Sequence, residues 1–289
     1  MRFRDWATRV LLISLMFTTL IGAVIAGKLA KLPNNTISNP DAIAWNQYPP
    51  AKLQSQTQQA FEPKNLVKTP TVAKNQPVKR YETTQAFASY KPRYGVAAVD
   101  PSNYGERFTK DIYGEPTKNQ AIIVIHETAD SASSAVNFFQ THHDDETVQA
   151  SYHALIAMDG TVVYLVPPDK RAFGAANSVF AGIDGIETVK THPTLPPSVN
   201  NFAYHVSLET PPDGRGSNTL KAHSGYTEAQ YNSLAWLIAQ SQVPDDRITT
   251  HKEVDRSNQK VDPLSFDFNK FLDLLHTYRQ LSPTYRANK

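Results

Sequence analysis

The residue types that could carry out chemistry concentrate in the stretch 251–263, which contains His251, Lys260 and Asp262. It follows a short β-prone run at 247–250 and ends at an aspartate–proline pair, so we predict a loop leaving the end of a strand, where functional groups tend to lie. An imidazole nitrogen and a carboxylate oxygen are both good zinc ligands, and a catalytic zinc takes three protein ligands plus water. The stretch offers two such ligands, so a third should come from elsewhere.

The best third candidate is His126, which follows the apolar run 121–125. Four of its five residues are β-branched, which favours a buried strand. A histidine at the exit of that strand would stand at the rim of the core. The neighbouring Glu127 suggests the helical zinc-protease signature, but that motif needs a histidine at position 130, where the chain has Asp130. The alternative for His126 is a histidine satisfied within the core.

Composition excludes several classes of protein. The 289-residue chain has a net charge of +2 and no basic stripe, so nucleic acid is not an expected partner. It has no cysteine, which excludes disulfides, a thiol nucleophile and a cysteine-ligated zinc. It has no Gly-x-Ser-x-Gly elbow, which argues against a serine hydrolase. We expect a monomer.

The N-terminus, residues 1–26, has the pattern of an export signal. Arg2, Arg4 and Arg9 precede an uncharged run at 10–26 that ends in small residues. Cleavage after Ala26 is one interpretation, and an uncleaved membrane anchor is the other, since about 17–25 residues span a bilayer. Either interpretation places the rest of the chain outside the cytoplasm, in the periplasm or cell envelope.

Residues 27–96 are rich in proline, glutamine and other polar residues and show no sustained period. Such a segment cannot bury enough apolar surface to offset its ordering entropy, so we predict a flexible linker. The globular domain is then expected at 97–289.

Within that domain, strand and helix patterns alternate. We therefore predict an α/β fold, with a mixed central β-sheet and helices packed against it. The predicted elements are a strand at 121–126, a helix at 131–142 with Ala135, Phe138, Phe139 and His142 on one face, a hairpin at 152–166 with a two-residue turn at Asp159-Gly160, a strand at 203–209, a helix opened by the capping box Thr227/Gln230, and a last helix using Phe268, Phe271, Leu272 and Leu275.

Four motifs occur in an order that resembles a known family. They are Ile123-Val124-Ile125-His126-Glu127-Thr128, Tyr152-His153 with Asp159-Gly160-Thr161, Val206-Ser207-Leu208-Glu209, and His251 with Lys260-x-Asp262-Pro263. Together they resemble the zinc-dependent N-acetylmuramoyl-L-alanine amidases of the type 2 family, which are related to amidase-type phage lysozymes and peptidoglycan recognition proteins. The resemblance covers about 122–275. It implies a zinc hydrolase acting on peptidoglycan, at the amide bond between N-acetylmuramic acid and L-alanine.

The resemblance also implies roles for particular residues. His126, His251 and Asp262 match the family's zinc ligands. Glu209 matches the acid that handles the attacking water, Lys260 the cation near the scissile carbonyl, and Tyr152 a tyrosine lining the site. For Glu209 and Lys260 the alternatives are a surface carboxylate and a solvated loop lysine. Independently of the family, His223 in a predicted loop is a candidate substrate contact.

The chain departs from the family pattern in several places. The spacing from His251 to Asp262 is eleven, longer than expected, and Leu264 stands where glycine is common. The stretch 172–175 replaces one that usually contains Trp-His, and the insertion-like segment 183–198 should also shape the substrate groove.

The chemistry is consistent with these residues. Zinc lowers the pKa of a coordinated water to about 7 and polarises a carbonyl. A carboxylate such as Glu209 would transfer the proton, and a cation such as Lys260 would face the developing oxyanion. The alternative from a different class is a peptidoglycan-binding module of the same fold that binds without cleaving. The complete ligand set favours the enzyme.

Overall fold

The computed structural model describes residues 79–216 and 219–287. The predicted signal or anchor, 1–26, and most of the predicted linker, 27–78, lie outside the described residues. Among the helices of the described part, none is both long enough and apolar enough to cross a membrane.

The described chain forms twelve strands and six α-helices. The strands are β1 (Tyr81–Thr83), β2 (Tyr94–Val96), β3 (Tyr104–Glu106), β4 (Ile122–Glu127), β5 (Ala154–Ile156), β6 (Val162–Tyr164), β7 (Lys170–Ala172), β8 (Phe180–Gly182), β9 (Gly185–Glu187), β10 (Ala203–Leu208), β11 (Ile248–Thr250) and β12 (Arg279–Leu281). The helices are α1 (Gln85–Ser89), α2 (Ala132–Gln140), α3 (Glu228–Ala239), α4 (His251–Val254), α5 (Phe268–Tyr278) and α6 (Pro283–Ala287).

A six-stranded sheet forms the centre, in the order β11-β4-β10-β5-β6-β2. β10 is parallel to β4 and β5, and β11 is parallel to β4, whereas β5 and β6 are antiparallel. The predicted mixed sheet is therefore confirmed. β4 and β10 are its longest strands, and they are buried because their β-branched and apolar side chains face packed layers on both sides.

Alternation along the central strands separates two faces. Ile123 and Ile125 pack with Val206 and Leu208 against α3 and α5. His126 belongs to the other face, because it alternates with Glu127 and lies in register with Ser207 of β10. That second face is covered by α2 at one end and by loops around 175–202 at the other.

The predicted boundary between linker and domain at residue 97 is too late. β1, α1 and β2 all precede it, and β2 extends the central sheet by pairing with β6. β1 pairs with β12 near the C-terminus, and Phe87 of α1 stacks on Trp236 of α3 with ring centroids 5.4 Å apart. These short segments gain their stability from partners distant in sequence, which a local hydrophobic period does not reveal.

The hairpin and the helix at 227–239 form as predicted, apart from the turn. Ala157 N donates to Thr161 O, so the loop has three residues, and Gly160 has a φ of +82°. This is a turn followed by a left-handed bulge residue rather than a two-residue turn. The capping box of Thr227 and Gln230 is present and opens α3.

Two further expectations differ from the structure. α2 buries Ala132, Val136 and Phe139, whereas Phe138 is exposed, because the first three pack into the apolar cluster against the sheet and Phe138 lies outside it. The stretch after β11 begins with the short helix α4 before it becomes a loop.

Candidate metal centre

The three predicted ligands converge at the carboxyl ends of β4 and β11. His126 lies near the end of β4, and His251 opens α4 directly after β11, the parallel neighbour of β4. Asp262 returns from the following loop, and Lys252 N donates to Asp262 O at 2.9 Å. The carboxyl ends of parallel strands are where α/β folds hold their ligands.

The side-chain atoms of this set face one another. His251 Nδ1 lies 3.0 Å from Asp262 Oδ1, and His126 Nδ1 lies 3.6 Å from Asp262 Oδ2. One ligand atom from each residue lies within 4.8 Å of the others. Two imidazole nitrogens and one carboxylate oxygen in this arrangement are a ligand set that suits a catalytic zinc with an open fourth position.

Burial and charge support this fit. His126 is fully buried, and its Nδ1 has no hydrogen-bond partner within the described residues. Burial, followed by the charge of His251, lowers the pKa of His126 to about 4, so its ring stays neutral as a metal ligand must. Burial acts to raise the pKa of Asp262, but the adjacent rings of His126 and His251 outweigh it and hold that pKa well below its usual range.

Tyr152 lines the same site. Its ring centroid lies 4.8 Å from that of His126 and 5.3 Å from that of Phe139 in α2. Burial, and then the charge of Asp262, raise the pKa of the Tyr152 phenol, while a hydrogen bond with Ser207 acts in the opposite direction. The phenol is therefore a neutral hydrogen-bonding group beside the ligands.

Lys260 lies on the exposed loop between His251 and Asp262. The Asp255 carboxylate organises this loop by accepting hydrogen bonds from the backbone N–H groups of Ser257, Gln259 and Lys260 at 3.1–3.3 Å. The charge of Lys260 makes only a minor contribution to the lowered pKa of His126, after burial and the charge of His251. The predicted role of Lys260 beside the scissile carbonyl stays a prediction.

A family model described as N-acetylmuramoyl-L-alanine amidase matches residues 116–265, just over half of the chain. The chain belongs to this family. The match spans β4, β10 and β11 and includes all three candidate ligands.

Several curated proteins are similar to this family member. The 1,6-anhydro-N-acetylmuramyl-L-alanine amidase AmpD of Salmonella typhimurium is 32% identical over 133 residues, which cover 44% of this chain and 58% of that protein. AmpD of Citrobacter freundii shows the same identity and coverage. The chain therefore spans less than two thirds of the length of these relatives.

Solved structures are also similar. A crystal structure of a selenomethionine derivative of AmpD has a TM-score of 0.43 and 25% identity, and the match covers 62% of this chain and 94% of that one. The N-acetylmuramyl-L-alanine amidase AmiD from E. coli, solved with anhydro-N-acetylmuramic acid-L-Ala-D-γ-Glu-L-Lys, has a TM-score of 0.41 and 20% identity, with coverage of 60% and 65%.

In this amidase-family chain, the Glu209 carboxylate already accepts hydrogen bonds from neighbouring residues. Its Oε1 accepts from Ala132 N at 3.0 Å and from Arg215 at 2.9 Å, and its Oε2 accepts from Met158 N at 2.9 Å. These bonds tie the end of β10 to the start of α2 and to the hairpin loop. Glu209 is not part of the converging ligand group, and its role in proton transfer stays a prediction.

His223 is placed differently from the predicted substrate contact. Its side chain is fully buried, and its Nε2 lies 2.8 Å from Glu127 Oε2. Tyr226 also donates to Glu127 Oε2, at 2.5 Å. His223 therefore packs beneath the surface as a partner of a buried carboxylate, because the loop that carries it folds inward over Gly214.

Three residues next to the ligands were not predicted as site residues: His205, Ser207 and Glu127. His205 Nδ1 lies 2.9 Å from His126 Nε2, and Ser207 is opposite His126 in the register of β4 and β10. Glu127 N lies 3.5 Å from Asp262 Oδ2. Alternation along 203–209 puts His205 and Ser207 on one face, but the sequence does not show that this face adjoins His126.

The two stretches that depart from the family pattern, 172–175 and 183–198, both have defined places in the structure. Gly174, in the stretch that replaces Trp-His, packs directly against the ring of His205. The segment leading into β8 is bonded to α4 and its loop, since Val179 N donates to Val254 O and Arg256 N donates to Asn177 O. The β8–β9 hairpin therefore emerges beside the ligand loop.

Proposed function

We propose that this chain is an exported zinc hydrolase that cleaves the amide bond between N-acetylmuramic acid and L-alanine in peptidoglycan. The observation that carries the proposal is the convergence of His126, His251 and Asp262 at the carboxyl ends of parallel strands. Membership of the amidase family and the similarity to proteins named AmpD support the substrate class.

In this proposal, His126 Nδ1, a ring nitrogen of His251 and a carboxylate oxygen of Asp262 would hold the zinc. Bound there, zinc supplies a Lewis acid that polarises the carbonyl and lowers the pKa of water. Tyr152 offers a neutral hydroxyl beside the ligands. The Lys260 ammonium would stabilise the oxyanion, and loss of such a donor typically lowers the rate by about 10²–10³.

We propose that the substrate is met outside the cytoplasm. The arginine-rich start and the uncharged run at 10–26 support export through a cleaved signal or an anchor. The protein would then act in the periplasm or cell envelope, as a monomer, in wall remodelling or recycling. If the N-terminal segment is uncleaved, the membrane is a further partner.

A second candidate function is a peptidoglycan-binding module that does not cleave. One observation favours it: the carboxylate predicted to transfer the proton, Glu209, already accepts hydrogen bonds from Ala132, Met158 and Arg215. The complete ligand set favours the enzyme, since a module that only binds would have no need to bring two imidazoles and a carboxylate together.

The test is zinc content combined with product analysis. A fragment of residues 27–289 is purified, its zinc is counted, and it is incubated with purified peptidoglycan. We expect about one zinc per chain and free stem peptides that begin with L-alanine. Wall binding without zinc and without products would contradict the enzyme and support the binding module. Asp262→Ala, handled identically, controls for contaminating amidases.

A further inference from the structure

The ring of His205 lies against the metal ligand His126. His205 is fully buried in β10, its Nδ1 lies 2.9 Å from His126 Nε2, and the two ring centroids are 5.0 Å apart. The bond is made on the side of His126 away from Asp262, which faces His126 Nδ1. The two nitrogens of His126 are thus divided between one protein partner and the ligand group.

Gly174 makes room for this ring. A Cβ at position 174 would lie 2.4 Å from Cγ and 2.5 Å from Nδ1 of His205, far inside van der Waals contact. A side chain at 174 would therefore displace the imidazole that touches His126. The space that holds His205 exists because residue 174 is glycine.

His205 in turn contacts a second buried histidine, His153. Its backbone N–H donates to His153 Nδ1 at 2.9 Å, and the two rings are stacked with an interplanar angle of 15°. Because a backbone N–H can only donate, His153 Nδ1 carries a lone pair, and its Nε2 proton is shared with Lys170 O at 3.2 Å. Stacking on His153 therefore helps to orient the His205 ring, whose Nε2 is buried without a hydrogen-bond partner among the described residues.

One proton decides how His126 can bind a metal. A neutral imidazole carries a proton on one nitrogen and a lone pair on the other. If His205 Nδ1 donated to His126 Nε2, the His126 proton would lie on Nδ1, where it would block ligation. If His126 Nε2 donates to His205 Nδ1, the lone pair of His126 Nδ1 faces Asp262 and the metal.

We propose that His205 is a positioning residue whose Nδ1 accepts the Nε2 proton of His126 and thereby directs the Nδ1 lone pair of His126 to the metal. This inference rests on the proposed zinc site. A partner of this kind fixes both the tautomer and the ring orientation of a ligand, and its loss typically weakens metal affinity about 10- to 100-fold. The acceptor comes from the neighbouring strand, and Gly174 provides its space.

The test compares His205→Asn with His205→Leu in the full chain. The two side chains have nearly the same shape and leave the same cavity, but only the asparagine places an acceptor oxygen close to the position of Nδ1. Zinc dissociation constants are measured by competition with a chromogenic chelator, and melting temperatures are measured without metal. We expect the leucine variant to bind zinc about 10- to 100-fold more weakly and the asparagine variant to stay within a few-fold of the parent.

Equal affinities in the two variants would overturn the proposal, whether both match the parent or both fall together. A parent chain that binds no zinc would instead overturn the proposed function, and this inference with it. Gly174→Ala gives a second approach without touching a histidine, and we expect it to weaken zinc binding as His205→Leu does.

A measurement on the unaltered chain tests the same proposal without requiring that any variant folds. Imidazole ¹⁵N–¹H correlation spectra of the zinc-loaded chain should show His126 ligated through Nδ1 and protonated at Nε2, with that proton protected from exchange. Ligation of His126 through Nε2, or a rapidly exchanging Nε2 proton, would contradict the positioning role.

Discussion

His251 Nδ1 and Asp262 Oδ1 lie 3.0 Å apart, although the two residues are eleven positions apart in the chain. The backbone bond from Lys252 N to Asp262 O closes the loop between them. Two of the three candidate ligands are therefore held by one loop, and the third, His126, comes from the adjoining strand. The ligand group therefore depends on both the sheet and the loop, and substitutions of His126 and of Asp262 test the two contributions separately.

Removal of one ligand should abolish zinc binding. We expect Asp262→Ala and His126→Ala to lose both stoichiometric zinc and amide hydrolysis, because two remaining ligands do not make a catalytic site. Metal analysis after dialysis, together with a peptidoglycan assay, checks this. Asp273→Ala, an exposed carboxylate of α5, is the control and should keep both properties. Retained zinc in Asp262→Ala would show that the ligand set is wrong.

Lys260 should matter for rate and not for metal. We expect Lys260→Ala to keep about one zinc per chain and to lower kcat about 10²–10³-fold, the effect of losing an oxyanion donor. Lys252→Ala removes an exposed lysine from the neighbouring α4 and is the matched control. Equal activity of the two variants would leave Lys260 as a solvated loop residue.

The sequence was sufficient to predict the elements that are long or chemically distinctive. β4 begins with an apolar, β-branched run, α3 carries a capping box, and His126 and His251 stand at element ends. These signals are local, so each can be read without knowing its neighbours in space. The three candidate ligands can be predicted because zinc restricts the residue types that bind it.

Other features depend on contacts between distant parts of the chain. Register between β4 and β10 places His205 beside His126, and no property of either segment alone encodes that register. β2 has three residues and no apolar period, and it forms because β6 offers an open edge. The inward fold of His223 toward Glu127 likewise depends on a partner 96 residues away.

Glu209 should support the fold whatever its part in catalysis. We expect Glu209→Ala to lower the free energy of unfolding by about 1–3 kcal/mol, since the donors on Ala132 and Met158 lose their acceptor. Zinc affinity should stay unchanged. Urea unfolding and chelator competition check these two outcomes.

Arg215→Ala separates the structural from the catalytic part of Glu209. It removes one contact of the carboxylate while keeping the carboxylate itself. The proton-transfer role requires kcat to fall about 10²–10⁴-fold in Glu209→Gln but not in Arg215→Ala. A similar, small change in both variants would remove Glu209 from the reaction.

The segment before residue 97 should stabilise the domain. Phe87 is buried and stacks on Trp236, so we expect Phe87→Ala to lower the free energy of unfolding by about 3–5 kcal/mol. Phe138→Ala, at an exposed position of α2, should change it by less than about 1 kcal/mol. A fragment starting at residue 97 should be less stable than one starting at Lys79. Equal urea midpoints for the two fragments would mean that residues 79–96 do not stabilise the domain and belong to the linker.

Acid should destabilise the domain partly through Asp245. Burial acts to raise the pKa of Asp245, but hydrogen bonds from His276 and from the buried Arg279 outweigh it and lower that pKa in the folded state. A carboxyl group whose pKa is lowered by folding stabilises the protein above its unfolded value of about 3.9, and this stabilisation is lost as the pH falls through the folded value.

We therefore expect the difference in unfolding free energy between the parent and Asp245→Asn to be constant at neutral pH and to shrink below about pH 4. Chemical unfolding of both proteins from pH 2 to pH 7 measures this difference, and other carboxyl groups that titrate in the same range cancel in it. Asp273→Asn serves as the charge-matched control on the exposed side of α5. A difference that stays constant down to pH 2 would mean that the Asp245 carboxylate gains nothing from His276 and Arg279, and that Arg279 is held by its other contacts, to Ser241 O, Val243 O and the Tyr81 ring.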